Sequence, residues 1–226
     1  MKQEKRAIVI PSQLLGDIKT MKAGRGTFVE NGKIYSEVLG ILNINNKFIN
    51  VVPLKGRYIP NEKDFVIGIV LEAISSSWLV DINAAYPALL HVNEVPWDVE
   101  FGETEKYLKT DDAVMAKVLQ VDQEHHIQIT LNDRNLYKIK CGHILDVEPS
   151  KVPRIIGKKG SMINILKKYS KCRIFVGQNG RIWIDGNEEG IKKVIETINL
   201  IEEEALTYGL TNKVENLLKK DAKDVR

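Results

Sequence analysis

The chain has 226 residues, of which 43% are hydrophobic and 28% are charged. This composition excludes a disordered chain, and the length suits two or three small domains. The net charge is only +3, so a surface that binds an acidic partner must be local.

The N-terminal segment MKQEKRAIVIPSQ has too short an apolar stretch for a signal peptide, and no run is long enough to span a membrane. Cys141 and Cys172 lie outside any C-x-x-C motif and have no histidine at zinc spacing. Both are therefore predicted to be reduced thiols. These features favour a cytoplasmic protein, and the sequence predicts no metal site and no cofactor.

Residues 1–60 contain short strand patterns separated by turn residues. Asn31 and Gly32 lie between two apolar runs, which is a strong hairpin signal. The Gly-Arg-Gly run at 24–26 is interpreted as a turn, because it lacks the remaining residues of a nucleotide-binding loop. The strands are predicted at residues 7–10, 27–29, 34–39 and 48–52, with a further turn at 43–46. This segment is expected to form an N-terminal β domain.

Residues 61–135 carry five more short strand patterns, which is typical of a small barrel. Trp78, Val80 and Ile82 alternate on one face, so Trp78 is expected in the core. The strands are predicted at residues 64–74, 78–82, 88–92, 114–121 and 127–131.

Residues 152–169 contain two glycines, Gly157 and Gly160, that enclose Lys158 and Lys159. Helical periodicity on both sides predicts a helix, a tight Gly-x-x-Gly turn and a second helix. Glycine lets the backbone approach a ligand closely, and the start of the second helix offers free N–H groups. Two lysines add full positive charges. This combination suits a sugar-phosphate backbone.

The surrounding stretch, residues 150–173, has no acidic residue and eight basic ones. The alternative is a plain helix connection with a solvated lysine pair, but charge of a single sign favours nucleic acid. The eight are Lys151, Arg154, Lys158, Lys159, Lys167, Lys168, Lys171 and Arg173. Lys151 and Arg154 are the candidates for RNA contact beside the glycine loop.

Strands and a further helix are predicted on both sides of the two helices joined by the glycine turn. A strand is predicted upstream at 138–147, and strands at 172–176 and 181–185 surround a Gln-Asn-Gly turn. A helix follows Gly186, with Asn187 as its N-cap. This order and the IIGKKGSMI run resemble a KH domain, whose loop clamps single-stranded RNA or DNA.

The barrel segments GIVLEAI, WLVDI, ALLHVNEV and VMAKVLQVDQEHHIQITL resemble the OB fold of the ribosomal S-one type. That resemblance implies an RNA-binding face with two stacking aromatics, a histidine, an acid and an arginine. His91 matches the histidine and Asp122 the acid. The aromatic positions fall on Ser76 and Leu79, so we expect weak base stacking.

Phosphate contacts are therefore expected to carry more of the binding to the barrel. The arginine position of the S-one pattern falls on His126. Lys117 and Arg134 are the basic candidates nearby.

The whole chain resembles the RNA-binding cap subunits of the archaeal exosome. The resemblance is carried by GKIYSEVLG, VVPLKGRYIPNEKDFVIGIV, WLVDI and RIIGKKGSMINILK. It implies an N-terminal β domain (1–60) that docks on a hexameric ring of phosphorolytic subunits, an OB-type barrel (61–135) and a KH domain (136–206). The spacing of Val214, Leu217 and Leu218 places them on one face, so residues 207–226 would form a tail or a short helix after a break at Gly209. It further implies three copies per ring, which capture RNA and feed it to the pore for 3′-to-5′ degradation.

Two other classes of function are an autonomous nuclease and a stand-alone regulator. An autonomous nuclease commonly gathers carboxylates around two metals. Asp111 and Asp112 are the only adjacent aspartates, and they are interpreted as a turn before a strand, so the sequence does not favour a nuclease. A stand-alone transcription or translation regulator could use the same modules, although such factors usually carry two consecutive KH units. Co-elution with a phosphorolytic ring separates a cap subunit from a regulator.

Overall fold

The computed structural model describes residues 7–45, 47–122, 124–205 and 210–221, with only the backbone at 220 and 221. Internal contacts divide the chain into Met1–Gly56 and Arg57–Arg226. Within the described residues, no helix is both long enough and apolar enough to cross a membrane.

The first unit contains two small sheets over its described residues. One sheet has the order β1-β6-β7-β3 and the other β2-β5-β4, and only the β3–β7 pairing is parallel. The strands are β1 (Ile8–Val9), β2 (Leu14–Asp17), β3 (Lys22–Ala23), β4 (Thr27–Glu30), β5 (Lys33–Ser36), β6 (Gly40–Asn45) and β7 (Phe48–Pro53). Their shared core consists of Val9, Leu15, Ile34, Leu42, Ile49 and Val51.

The hairpin predicted at Asn31 and Gly32 is confirmed. Glu30 pairs with Lys33, and the two turn residues have φ of 49° and 76°, as a two-residue turn with both residues left-handed requires. The turn predicted at residues 43–46 is wrong over 43–45. Asn43 and Asn45 lie in β6 with their side chains exposed, while Leu42 directly before them is buried. Position 46 lies outside the described residues.

The second unit begins with a closed five-stranded barrel, as predicted. The strand order is β12-β10-β9-β8-β11, and a further β11–β12 pairing closes it. The strands are β8 (Phe65–Ile74), β9 (Ser77–Asp81), β10 (Ala88–His91), β11 (Ala113–Val121) and β12 (Ile127–Thr130). Trp78 is fully buried, and its indole N–H donates to the carbonyl of Leu108 at 3.1 Å. The expected core position of Trp78 is thus confirmed.

The single strand predicted at 138–147 is wrong, because the chain forms two strands there in two different sheets. β13 (Tyr137–Ile139) pairs with β11 of the barrel, whereas β14 (His143–Asp146) pairs with β16 (Arg181–Asp185). Gly142 lies between them with φ of 100°, and a Cβ there would come within 2.5 Å of the Trp183 indole nitrogen. Only glycine can make this bend, which transfers the chain out of the barrel sheet.

The order predicted for a KH domain is confirmed after the bend. β14 is followed by α1 (Val152–Ile156), α2 (Ser161–Ser170), β15 (Arg173–Val176), β16 and α3 (Glu188–Glu203). The sheet has the order β14-β16-β15 and is antiparallel. Asn187 caps α3, since its side chain accepts from the Gly190 N–H at 3.1 Å.

A last helix, α4 (Leu210–Asp221), packs on the core of the KH domain. Leu210, Val214 and Leu218 are buried there. The sequence placed Leu217 on the same face, but its side chain is exposed. The break expected at Gly209 lies outside the described residues.

The barrel and the KH domain meet at a polar contact that we call the barrel–KH junction, formed by Ile67, Asp81 and Asn83 of the barrel and by Asn179 and Arg181 of the KH domain. Asn179 is fully buried, and its amide donates to the carbonyl of Ile67 at 2.8 Å. Asn83 donates in turn to the Asn179 carbonyl at 2.8 Å. These bonds join segments that are distant in sequence, so the barrel and the KH domain are held in one arrangement.

Candidate nucleic-acid interface

The Gly-Lys-Lys-Gly loop separates α1 from α2. Gly157 has φ 75° and ψ 171°, and Gly160 has φ 77° and ψ 15°. A Cβ on Gly157 would lie 2.7 Å from the Met162 nitrogen, whereas one on Gly160 would meet its neighbours at ordinary distances. Gly157 is therefore required for space and for backbone conformation, and Gly160 for conformation alone.

Lys158 and Lys159 are both exposed at the tip of this loop. Neither forms an ion pair with any residue that the structure describes. Lys159 has φ 54°, a left-handed conformation that interrupts the helix between α1 and α2. Directly after the loop, the first turn of α2 adds the partial positive charge of a helix start. The loop therefore offers two exposed cations to an anion, while the N–H groups of Gly160 and Ser161 donate to the carbonyls of Gly157 and Lys158.

The other basic residues of the stretch differ in how available they are. Lys151, just before α1, and Arg154, within α1, are half-buried, while Lys167 and Lys171 are exposed. Arg173 forms an ion pair with Asp185. The exposed cations of the stretch outside this ion pair are thus Lys158 and Lys159 in the loop and Lys167, Lys168 and Lys171 in and after α2.

The barrel residues named from sequence divide into two groups at opposite ends of β10. The strand is parallel to β12, with Ala88 beside Ile127, so His126 lies near the start of β10 and His91 at its end. This separation is about 10 Å at the rise of a strand. His91 and the Asp122–His126 pair therefore do not form one compact site.

Asp122 and His126 contact each other directly. The Asp122 carboxylate accepts from the backbone N–H of His126 at 2.8 Å and lies 2.8 Å from its Nδ1. The backbone hydrogen bond is the main cause that lowers the pKa of Asp122, and the carboxylate raises the pKa of His126 above its ordinary value. The imidazole is exposed, so its charge faces solvent.

Lys117 is not a free cation. Its Nζ lies 2.5 Å from the Asp133 carboxylate and over the ring of Phe65, and this hydrogen bond is the main cause that lowers the pKa of Asp133. Arg134 is exposed beside this pair. A phosphate at Lys117 must therefore compete with Asp133, which leaves Arg134 as the more available cation.

Neither of the two expected stacking positions of the barrel carries an aromatic ring. Ser76 and Leu79 occupy them, and both are half-buried. A shallow depression nearby is lined by Leu89, His91, Asn93, Glu94, Gln128 and Ile129. Among these six residues, only His91 carries a ring. In the described residues, no three His, Cys, Asp or Glu side chains gather to hold a metal ion.

Family models match both ends of this arrangement. The exosome RNA binding protein RRP4 N-terminal domain matches residues 6–55, and the KH domain matches residues 142–190, which include the glycine loop. The exosome complex component Rrp4 of Methanosarcina mazei is 47% identical over 96% of this chain and 83% of its own length. The chain belongs to the Rrp4 family of exosome complex components.

A second Rrp4 and one solved structure are also similar to this chain. The Rrp4 of Picrophilus torridus is 42% identical over 96% of this chain and 94% of its own length. A solved structure described as an exosome complex RNA-binding protein is 33% identical, with a TM-score of 0.68, and covers 76% of this chain and 100% of its own. Since these relatives are named as components of a complex, a stand-alone regulator is not favoured.

Some residues of this Rrp4 family member were missed by sequence reasoning. Asn179 was interpreted only as a turn residue, and Arg181 only as the start of a strand, because their partners in the barrel are distant in sequence. Tyr86 and His125, which stack on each other, carried no motif. A tyrosine before a proline and a histidine in a turn are both common in loops, so no local signal was available.

Proposed function

We propose that the chain is a non-catalytic RNA-binding subunit of an exosome complex. Three copies sit on a hexameric ring of phosphorolytic subunits, capture single-stranded RNA and pass it to the pore for 3′-to-5′ degradation. The observation that carries the proposal is the glycine loop, with Lys158 and Lys159 exposed and outside any described ion pair. The names of the relatives support the complex and the ligand.

The glycine loop binds the RNA backbone through phosphates. Gly157 leaves the loop backbone uncovered, and the helix start behind it adds N–H donors. Lys158 and Lys159 neutralise phosphates, and Lys151 and Arg154 extend the basic surface along α1. Such contacts fix the position of the strand without reading its sequence.

The barrel makes a weaker second contact. His91, Asp122, His126, Lys117 and Arg134 are the residues assigned to it. Arg134 and the charged form of His126 meet phosphates, while Lys117 exchanges its partner Asp133 for the RNA. Capture at two places on one rigid body raises the local concentration of RNA at the second site.

The N-terminal domain, predicted to span residues 1–60, is the part of the chain that docks on the ring. Among the described residues, nine large apolar side chains are exposed in Met1–Gly56 and eight in the three-fold longer Arg57–Arg226. The nine are Ile8, Ile10, Leu14, Ile18, Phe28, Val29, Leu39, Phe48 and Val52. This density of exposed apolar surface favours a protein partner over RNA.

The experiment combines the purified chain, a phosphorolytic ring and a labelled RNA. We expect co-elution with the ring, RNA binding by the chain alone, and no shortening of the RNA by the chain alone with either magnesium or phosphate. The first domain should hold the barrel (61–135), the KH domain (136–206) and the C-terminal segment (207–226) on the ring. Degradation by the isolated chain would contradict the accessory role, and elution apart from the ring would contradict the assembly.

A further inference from the structure

Two exposed rings stack on each other at one edge of the barrel. The centroids of Tyr86 and His125 lie 6.0 Å apart, with 12° between the ring planes. The Tyr86 side chain is 58% exposed, and His125 is exposed as well. Neither ring belongs to the barrel core, so packing of the interior does not explain the pair.

Both rings lie just before the starts of neighbouring barrel strands. Tyr86 directly precedes Pro87 and the buried Ala88 that starts β10, and proline restricts the residue before it. His125 lies two residues before Ile127, which is the register partner of Ala88 in the parallel β10–β12 pair. The two rings thus leave the barrel at equivalent positions of neighbouring strands.

The loop that carries His125 is closed by Asp122. The Asp122 carboxylate accepts from the backbone N–H groups of Glu124 at 2.9 Å and of His126 at 2.8 Å, and its carbonyl accepts from the His125 N–H at 3.2 Å. These bonds orient His125 before any ligand arrives, which reduces the entropy lost on binding.

We propose that Tyr86, supported by His125, is a nucleobase-stacking site of the barrel. The inference rests on the proposed RNA binding and names the portion of RNA that this edge takes. An exposed tyrosine ring offers a face on which any base can stack, and His125 behind it keeps that face in place. The Tyr86 ring is uncharged and Asp122 and Glu124 lie in the loop beside it, so this face takes a base, while the neighbouring phosphate falls to the charged form of His126.

The position of Tyr86 suits a strand that also reaches the KH domain. Three residues before it, Asn83 donates to the Asn179 carbonyl at the barrel–KH junction. Three residues of chain span at most about 11 Å, so the ring lies beside the junction rather than on the far side of the barrel. One strand can then place a base on Tyr86 and its phosphates on the KH domain.

The test compares full-length variants on two RNAs, one intact and one with abasic nucleotides throughout. Tyr86→Ala should weaken binding of the intact RNA on the order of tenfold and leave binding of the abasic RNA unchanged. Tyr86→Phe should keep parent affinity, and His125→Ala should show a smaller, equally base-dependent loss. The salt dependence should stay that of the parent, since no phosphate contact is removed. Phe101→Ala is the matched control, because that exposed ring (84%) has no stacking partner among the described residues and should not affect binding.

The possible results distinguish a failure of the stacking site from a failure of the proposed RNA binding. Equal losses on intact and abasic RNA, or no loss with Tyr86→Ala, would overturn the stacking site while the proposed function stands. A parent chain that binds no RNA would overturn both. Photo-crosslinking of the unaltered protein provides a readout without any variant. A crosslinked peptide that contains Tyr86 is expected, and crosslinks confined to other peptides would count against the site.

Discussion

The Arg181 guanidinium contacts both the carboxylate and the backbone carbonyl of Asp81, with 2.7 Å to the carbonyl. Arg181 starts the last strand of the KH sheet, and Asp81 ends the second strand of the barrel. Because the Arg181 side chain is only 8% exposed, water cannot easily replace these bonds if Asp81 is lost. Together with Asn179 beside it, this contact joins the barrel and the KH domain into a single body.

Asn179→Ala is expected to destabilise the folded chain by about 2–4 kcal/mol. The side chain is fully buried, and its amide bonds the carbonyls of Ile67 and Ile82 at 2.8 and 3.0 Å. Alanine removes the Asn179 donor from the Ile82 carbonyl and leaves the Ile67 carbonyl with only the Arg181 guanidinium at 3.3 Å, in a buried contact. Denaturant unfolding of the full chain measures the change. Asn199→Ala, at an exposed position of α3, is the control and should change stability little. Equal effects of the two variants would mean that water satisfies the junction.

How much of this could be predicted depended on whether the determining contacts are local. The hairpin at Asn31 and Gly32, the cap at Asn187 and the loop at Gly157 follow from neighbouring residues, and each was predicted. The bend at Gly142 is needed because Trp183 lies against it, some forty positions away. A single apolar run gives no sign that the chain changes sheet within it.

The same division holds for the candidate site. The basic glycine loop is a local pattern and was predicted in place. The ion pair of Lys117 with Asp133 and the stacking of Tyr86 on His125 arise from strand pairing, which sets partners 16 and 39 positions apart. Sequence patterns identify candidate residues in such cases. The register of the sheet decides which cations form ion pairs, as Lys117 does, and which rings stack on each other.

Gly157→Ala and Gly160→Ala should have unequal effects. At Gly157 the backbone lies in a region that only glycine adopts readily, and a Cβ would overlap the Met162 backbone at 2.7 Å. We expect a stability loss of at least about 2 kcal/mol and loss of RNA binding. Gly160→Ala meets no such overlap and should cost about 1 kcal/mol. Thermal or denaturant unfolding with an RNA titration measures both. Similar losses in the two variants would contradict the role assigned to space at Gly157.

Ile10→Asp should weaken docking on the ring without affecting RNA binding. Ile10 is 60% exposed in the N-terminal unit, so a charge there costs the monomer little but disfavours burial against a partner. Gel filtration with the ring measures co-elution, and an RNA titration tests the other function. Leu119→Asp is the matched control, because that side chain is 43% exposed in the barrel. Docking that is lost with Leu119→Asp and kept with Ile10→Asp would place the contact on the barrel.

Asp122→Asn should lower the pKa of His126. The side-chain hydrogen bond to Asp122 is the main cause that raises this pKa, and Glu124 contributes less from 3.8 Å. Because the folded pKa is raised, the stabilisation from this pair is complete below the unfolded pKa of about 6.5. It is lost as the pH rises through the folded value. NMR titration of the imidazole measures the shift. Glu124→Gln is the control and should lower the pKa by less. An unchanged pKa in Asp122→Asn would mean that the carboxylate does not face the ring in solution.

The double variant Lys158→Gln, Lys159→Gln tests the phosphate contacts of the glycine loop. If both lysines neutralise phosphates, affinity for unrelated RNA sequences should fall alike, since phosphates carry no sequence. For single strands, log affinity falls with log salt by about 0.7 per phosphate, so the slope should decrease by about 1.4 in magnitude. Both side chains are exposed and both glycines remain, so the fold should survive, which circular dichroism checks. The control is Lys192→Gln, Lys193→Gln on α3, which removes the same charge outside the loop. If the control changes the slope as much as the loop variant, the effect is one of net charge, and the loop serves only to connect two helices.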